Sequence, residues 1–380
     1  MGCHMKRFFY LVPMVFLLFL MGCSSVSPLN PDSQTDITAT QPASPVEDSG
    51  YLYLRLGNVE DQFHHYFVRV PAACLVDQTA CDAVEVISTY PEYGIGQNRL
   101  HWSPDQSRAI LLDTFTDCLH IFDPQTKTFS RLLEESMAGN DDLIWLSADE
   151  LVFVRQKGDQ TSTLVSLTWE DVEPRLTEVV PFEGMAKYLG KNLAGMVYFA
   201  EDVSDYSAGD PSLKTQTVET NVLQVDPRTG DYMELWPEED WLTLRPQVVT
   251  TDGRWLVYGD FEVSIWNLRS GETVLVGEDV HWPTPSPDGR WLAAVFSEEN
   301  LYSIRLLDLE TMVWETVVTL RSVPFLYWSP NSRYLVLARY YEPDLVTGPL
   351  IVIDPETGGF STPQIDLQGY QWVDDVSWGR

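Results

Sequence analysis

The sequence predicts an all-β domain built from repeated four-stranded antiparallel units, and three observations carry that prediction. A turn phrase recurs: Trp102-Ser103-Pro104-Asp105, Leu146-Ser147-Ala148-Asp149, Thr251-Asp252-Gly253-Arg254-Trp255, Ser286-Pro287-Asp288-Gly289-Arg290-Trp291 and Trp328-Ser329-Pro330-Asn331, with a shortened copy at Val376-Ser377-Trp378-Gly379. A second phrase recurs between the copies of the first, as Asp123-Pro124-Gln125-Thr126-Lys127, Asp226 to Gly230, Asn267 to Gly271, Asp308 to Met312 and Asp354 to Gly358. Between these turns lie short runs rich in Val, Leu, Tyr, Phe and Trp, and no long helical pattern intervenes from Tyr51 onward. Proline presets the backbone of such turns, aspartate bonds the main chain two residues on, and glycine supplies the positive φ that closes a tight hairpin.

Taken in order, the chain opens on Met5-Lys6-Arg7 and the apolar stretch Phe8 to Met21. An apolar run of about 14 residues is short for a membrane span and reads as an export signal. Leu20-Met21-Gly22-Cys23 resembles the lipobox of bacterial lipoproteins. That resemblance implies removal of residues 1–22, acylation of Cys23 by fatty acids such as palmitate, and a lipid-anchored, extracytoplasmic place in a bacterial cell envelope. Ser24 to Gly50 holds four prolines and almost no large apolar residues, so it lacks the surface to build a core. Residues 23–50 are thus the acylated cysteine and a tether, which as a flexible coil reaches on the order of 30 Å.

Residues 51–380 form the domain. Each repeat runs strand, first turn, strand, variable loop, strand, second turn, strand, and units of this kind every 40 to 50 residues are the mark of a β-propeller, whose radial closure protects sheet edges. Units near 98–132, 142–180, 185–236, 245–277, 279–318 and 323–361 make six blades. Tyr370 to Trp378 has the character of an innermost strand without partners, while Tyr51 to Leu56, Tyr66 to Val70 and Val84 to Ser88 are three strands without an innermost one. The N- and C-terminal strands are therefore expected to share a seventh blade; six blades is the alternative, because 185–236 lacks a clear Ser-Pro-Asp-Gly turn. The W-S-P-D-G-R-W phrase with its following D-x-x-T-G turn resembles propellers of the TolB type and their WD-repeat-like relatives over residues 51–380. That resemblance implies a fold and little about function. In the shared blade the second hairpin is replaced by a longer loop holding Cys74 and Cys81, and an exported chain meets an oxidising environment, so a Cys74–Cys81 disulfide is expected, with Cys118 a buried free thiol.

The chain carries 24 basic and 56 acidic residues, a net charge of −32, which excludes a nucleic-acid backbone as partner. The two turn types are short and uniform, so their face of the ring reads as structural, and the variable loops of the opposite face as the place for binding. There Trp236-Pro237-Glu238-Glu239-Asp240-Trp241 sets two indoles around three carboxylates, with Tyr90, Tyr93, Tyr340 and Tyr341 in neighbouring loops. Rings beside carboxylates suit a glycan or an envelope protein's basic segment. The competing reading is that these tryptophans pack between blades while the acids face water. Asp202, Asp205 and Asp210 offer oxygen ligands of the calcium type, without EF-hand spacing or its closing bidentate Glu. No other cofactor is expected.

Signatures of catalysis are sparse. There is no G-x-S-x-G elbow, His64 and His65 are adjacent rather than at ligand spacing, and His101 and His281 each precede a Trp in an innermost strand, the setting of a core histidine; His120 stands apart. No catalytic residue is assigned. The sequence favours a monomeric, membrane-anchored lipoprotein whose propeller is a non-catalytic binding or scaffold module for a protein or glycan. The alternative is an extracytoplasmic hydrolase or lyase using channel carboxylates on polysaccharide or peptide, since paired acids leave no spacing to read.

Overall fold

A computed structural model describes residues 50–57, 64–77, 81, 84–91, 100–113, 118–133, 143–157, 161–170, 173–202, 220–235, 246–259, 262–298, 301–339, 350–365 and 372–379. The chain divides into two units, Met1–Thr38 and Ala39–Arg380, and the first lies wholly outside the described residues. So do Cys23 and the tether up to residue 49.

The described residues of the second unit form seven four-stranded antiparallel sheets. The first is opened by β1 (Tyr51–Gly57), β2 (His64–Pro71) and β3 (Glu85–Pro91). The second blade is β4 (Leu100–Trp102), β5 (Ala109–Asp113), β6 (Cys118–Asp123) and β7 (Thr128–Arg131); the third is β8 (Ile144–Ser147), β9 (Glu150–Lys157), β10 (Thr161–Glu170) and β11 (Glu173–Phe182). The fourth takes β12 (Met185–Lys191), β13 (Val197–Asp202), β14 (Thr220–Val225) and β15 (Tyr232–Glu234), and the fifth β16 (Pro246–Val249), β17 (Trp255–Tyr258), β18 (Glu262–Asn267) and β19 (Thr273–Glu278). The sixth is β20 (Val280–Pro285), β21 (Trp291–Glu298), β22 (Leu301–Asp308) and β23 (Val313–Leu320), the seventh β24 (Pro324–Trp328), β25 (Leu335–Arg339), β26 (Leu350–Ile353) and β27 (Phe360–Ser361). Finally β28 (Trp372–Gly379) returns to the first blade and pairs with β1, from Tyr51 opposite Gly379 to Gly57 opposite Trp372. The ring is a seven-bladed β-propeller closed by a blade shared between the two ends of the domain, and the six-blade alternative is excluded.

The uncertain unit, 185–236, is a full blade because Asn192 does the work of the serine. In the standard first turn a buried hydroxyl both accepts from the backbone N–H five residues on and donates to the acid or amide two residues on. Ser286 Oγ accepts from Trp291 N at 2.9 Å and donates to Asp288 Oδ1 at 2.5 Å. Ser329 does the same with Tyr334 N and Asn331 Oδ1, and Ser103 with Arg108 N and Asp105. In the fifth blade the role falls to Thr250, one residue before the stretch that the sequence pattern picked out. In the fourth, Asn192 Oδ1 accepts from Ala194 N and Met196 N, and Gly195 takes the positive φ of 87°. The third blade departs from the pattern: Ser147 pairs with Glu150 across a two-residue hairpin.

Seven apolar clusters hold the ring, one for each junction between neighbouring blades. Leu52, Leu54 and Leu56 of β1 pack toward the seventh blade, whereas Tyr53 packs toward the second. Trp291, Ala293 and Val295 of β21 face the seventh blade; Leu292, Ala294 and Phe296 face the fifth. Strand alternation thus serves two interfaces at once, which is why the inner strands read as unbroken apolar runs instead of alternating with polar residues. At the shared blade Cys74 and Cys81 are joined by a disulfide, and Cys118 is buried outside any disulfide, its Sγ accepting from Arg131 at 2.9 Å.

Candidate functional site

The innermost strands of the blades surround the central channel, and at the end bearing the first turns they leave a cavity of about 470 Å³. It is lined by His101 and Trp102 of β4, Trp145 of β8, Tyr188 and Lys191 of β12, Trp328 of β24 and Trp378 of β28, with Pro104 and Pro330 at the turns. This is the face whose uniform turns suggested a purely structural role.

The indoles are fixed by the ring itself. Trp145 Nε1 donates to the His101 carbonyl of the preceding blade at 2.8 Å, and Trp328 Nε1 to the Thr284 carbonyl of its preceding blade at 2.9 Å. Trp102 Nε1 reaches Ser377 Oγ at 3.4 Å. Trp145 also stacks on Trp169 with centroids 5.4 Å apart, and Trp102 lies against Tyr53 at 4.7 Å. A Cβ at position 379 would fall 2.4 Å from the Trp102 ring, so glycine is required there for the indole to cross the end of β28. Each tryptophan therefore rivets one blade to the next while its remaining carbon surface forms cavity wall.

Lys191 is the exception in that wall. Lys191 precedes Asn192 as Trp102 precedes Ser103, Trp328 precedes Ser329, Val249 precedes Thr250 and Pro285 precedes Ser286, so it occupies a position that the other blades fill with apolar residues. It is half-buried, and its Nζ donates to the Trp145 carbonyl at 2.7 Å. Burial pushes its ammonium down from the ordinary lysine value. No carboxylate is among the described residues lining the cavity, so the charge has a carbonyl dipole for company and no counter-ion there. Gly190 supports this placement: a Cβ there would meet the Val249 carbonyl oxygen at 2.5 Å, so glycine lets β12 lie close against β16. Sequence reasoning passed over Lys191; superposing the repeats on their turn residues would have exposed it.

Of the residues singled out on the loop face, Tyr93, Trp236, Glu238, Glu239, Asp240, Trp241, Tyr340 and Tyr341 lie outside the described residues, as do Asp205 and Asp210. Tyr90 is placed in β3 opposite His65, and Asp202 ends β13 opposite Thr220, by their backbones. Among the described residues no three His, Cys, Asp or Glu side chains are grouped to hold a metal ion. His101 lines the cavity, and His281 packs its ring 5.5 Å from Trp282. Trp282 is 56% exposed with a positive φ of 49°, at an irregularity in the β20–β21 pairing. Among the described residues no helix is long and apolar enough to cross a membrane.

No known sequence family and no curated protein matches the chain. Solved structures do. An oligogalacturonate lyase in complex with manganese is 14% identical, with a TM-score of 0.54 over 83% of this chain and 86% of that one. The oligogalacturonate lyase of Vibrio parahaemolyticus is 13% identical, with a TM-score of 0.53 over 85% and 90%. TolB from Acinetobacter baumannii is matched at 13% identity and a TM-score of 0.42 over 87% and 83%. At such identities the likeness is one of fold, and the fold in common with the lyases is the β-propeller.

Proposed function

We propose that this chain is a lipid-anchored extracytoplasmic protein whose propeller serves as a non-catalytic binding module, with the cavity at the turn end of its channel as a ligand site. One observation carries the reading: the described wall of that cavity is a set of blade-riveting indoles around a single half-buried cation, with no carboxylate among its described residues for the two-acid chemistry of the alternative. Rigid apolar walls with one placed charge suit recognition. The export signal and the Leu20-Met21-Gly22-Cys23 lipobox support the location, and the acidic, aromatic loops around Trp236–Trp241 and Tyr340–Tyr341 remain the proposed surface for an envelope protein or glycan.

The lyase likeness supplies the test. The purified full-length chain is incubated with oligogalacturonate, with and without manganese, and the oligosaccharides are followed by mass. Unchanged chain lengths support a binding role; shortened, unsaturated products overturn it and favour the hydrolase or lyase alternative. Metabolic labelling with a palmitate analogue, lost in Cys23→Ser, checks the anchor.

A further inference from the structure

We propose that the channel cavity takes a single carboxylate carried on a flat apolar body, with the carboxylate on Lys191 Nζ and the body against the tryptophan walls. The inference rests on the binding-module reading above and names its ligand class.

The indole N–H groups of Trp102, Trp145 and Trp328 are already engaged with Ser377, His101 and Thr284, so these rings offer a ligand carbon surface and no donors. An ammonium has three donors, and the Trp145 carbonyl takes one of those of Lys191. The remaining two point to a ligand acceptor, and an anion there supplies the counter-charge that the described wall withholds. A polyhydroxylated sugar would need many donors and acceptors, and three of the four indoles in the wall have no donor to give. The volume of about 470 Å³ lies within the range of small-molecule sites. The lysine is also out of pattern: the ring closes in six other blades without a cation at this position, so Lys191 is not required by the repeat.

The test is calorimetric titration of the purified full-length chain at neutral pH with trans-cinnamate, with its uncharged analogue cinnamamide, and with glucuronate. Cinnamate should bind saturably and at least about tenfold more tightly than cinnamamide, a preference that Lys191→Met abolishes and Lys191→Arg partly keeps. Lys191→Met keeps the aliphatic stem and removes a desolvated charge, so its melting temperature should equal or exceed that of the parent. Cinnamate binding should also weaken with rising pH earlier than the ordinary lysine value of about 10.4 would give, because burial holds the Lys191 ammonium down. Equal affinity for acid and amide, a preference that survives in Lys191→Met, or glucuronate binding more tightly than cinnamate would each overturn the proposal. Cleavage of oligogalacturonate removes the binding-module reading independently, whichever way cinnamate behaves.

Discussion

Ser286→Ala should destabilise the domain by about 1–3 kcal/mol, most of it from one backbone N–H. Ser286 is fully buried, and its hydroxyl is the acceptor for the amide of Trp291, itself buried at the head of β21. Removing Oγ leaves that amide dry and unpaired, which costs about 1–3 kcal/mol. The second bond, from Ser286 Oγ to Asp288, matters less: Asp288 is exposed and also accepts from Arg290 N, so water replaces the hydroxyl at a cost below about 1 kcal/mol. Two further variants isolate the term. Ser286→Thr should be close to parental, because Thr250 already fills the equivalent place with both bonds made. Ser107→Ala removes an exposed hydroxyl that also bonds an aspartate, Asp105, at 3.0 Å, and should cost no more than about 0.5 kcal/mol. Urea unfolding of the full-length chain, read as a change of midpoint at constant slope, gives all three. If Ser286→Ala and Ser107→Ala prove equally mild, the buried hydroxyl is not what sets the turn.

Replacing both Cys74 and Cys81 by Ala opens a loop of eight residues, and loop closure of that size is worth about 2–3 kcal/mol, read as a fall in urea midpoint that reductant produces in the parent but not in the variant. Gly190→Ala drives a methyl into the Val249 carbonyl where β12 meets β16; a loss above about 2 kcal/mol is expected, and a neutral result would mean that the two strands can part. The carboxyls of Asp105 and Asp123 are held below the usual range, the first by the Ser103 hydroxyl and the second by the Gln125 amide. Their folded values are depressed, so their contribution is present above about pH 4 and is lost as pH falls through the folded values. Asp105→Asn with Asp123→Asn, which copies the Asn331 and Asn267 of other blades, should flatten the fall of melting temperature on the acid side; an unchanged acid limb would show that these groups do not govern it.

Architecture was legible because each blade repeats the same local chemistry. Ser103, Ser286 and Ser329 stand at the same step of the same turn, and the second turn repeats its aspartate or asparagine accepting backbone N–H groups at Asp123, Asp226, Asn267, Asp308 and Asp354. The fourth blade was obscure because a carboxamide, Asn192, holds a turn one residue shorter by accepting from the amides two and four residues on, a substitution visible in atoms and not in letters. The site was legible only where it broke a rule of the repeat. Lys191 did so, but a single lysine carries no flag until the innermost strands are brought around one axis. Trp102, Trp328 and Trp378 stand in the sequence as parts of the repeated turn phrase, and in the structure they join blades and also form the wall of the cavity; a sequence pattern does not separate these roles, since the same ring performs both.

The shared first blade sets the order in which the domain can be completed. β1 leaves the ribosome more than 300 residues ahead of β28, the strand that lies along its inner edge. Until β28 arrives, β1 has one edge unmatched, and six blades' worth of chain must wait for a pairing of the longest sequence separation the domain contains. Loop-closure entropy makes such a pairing late and slow. The last step of folding is thus the one that turns an open arc with two sticky ends into a ring.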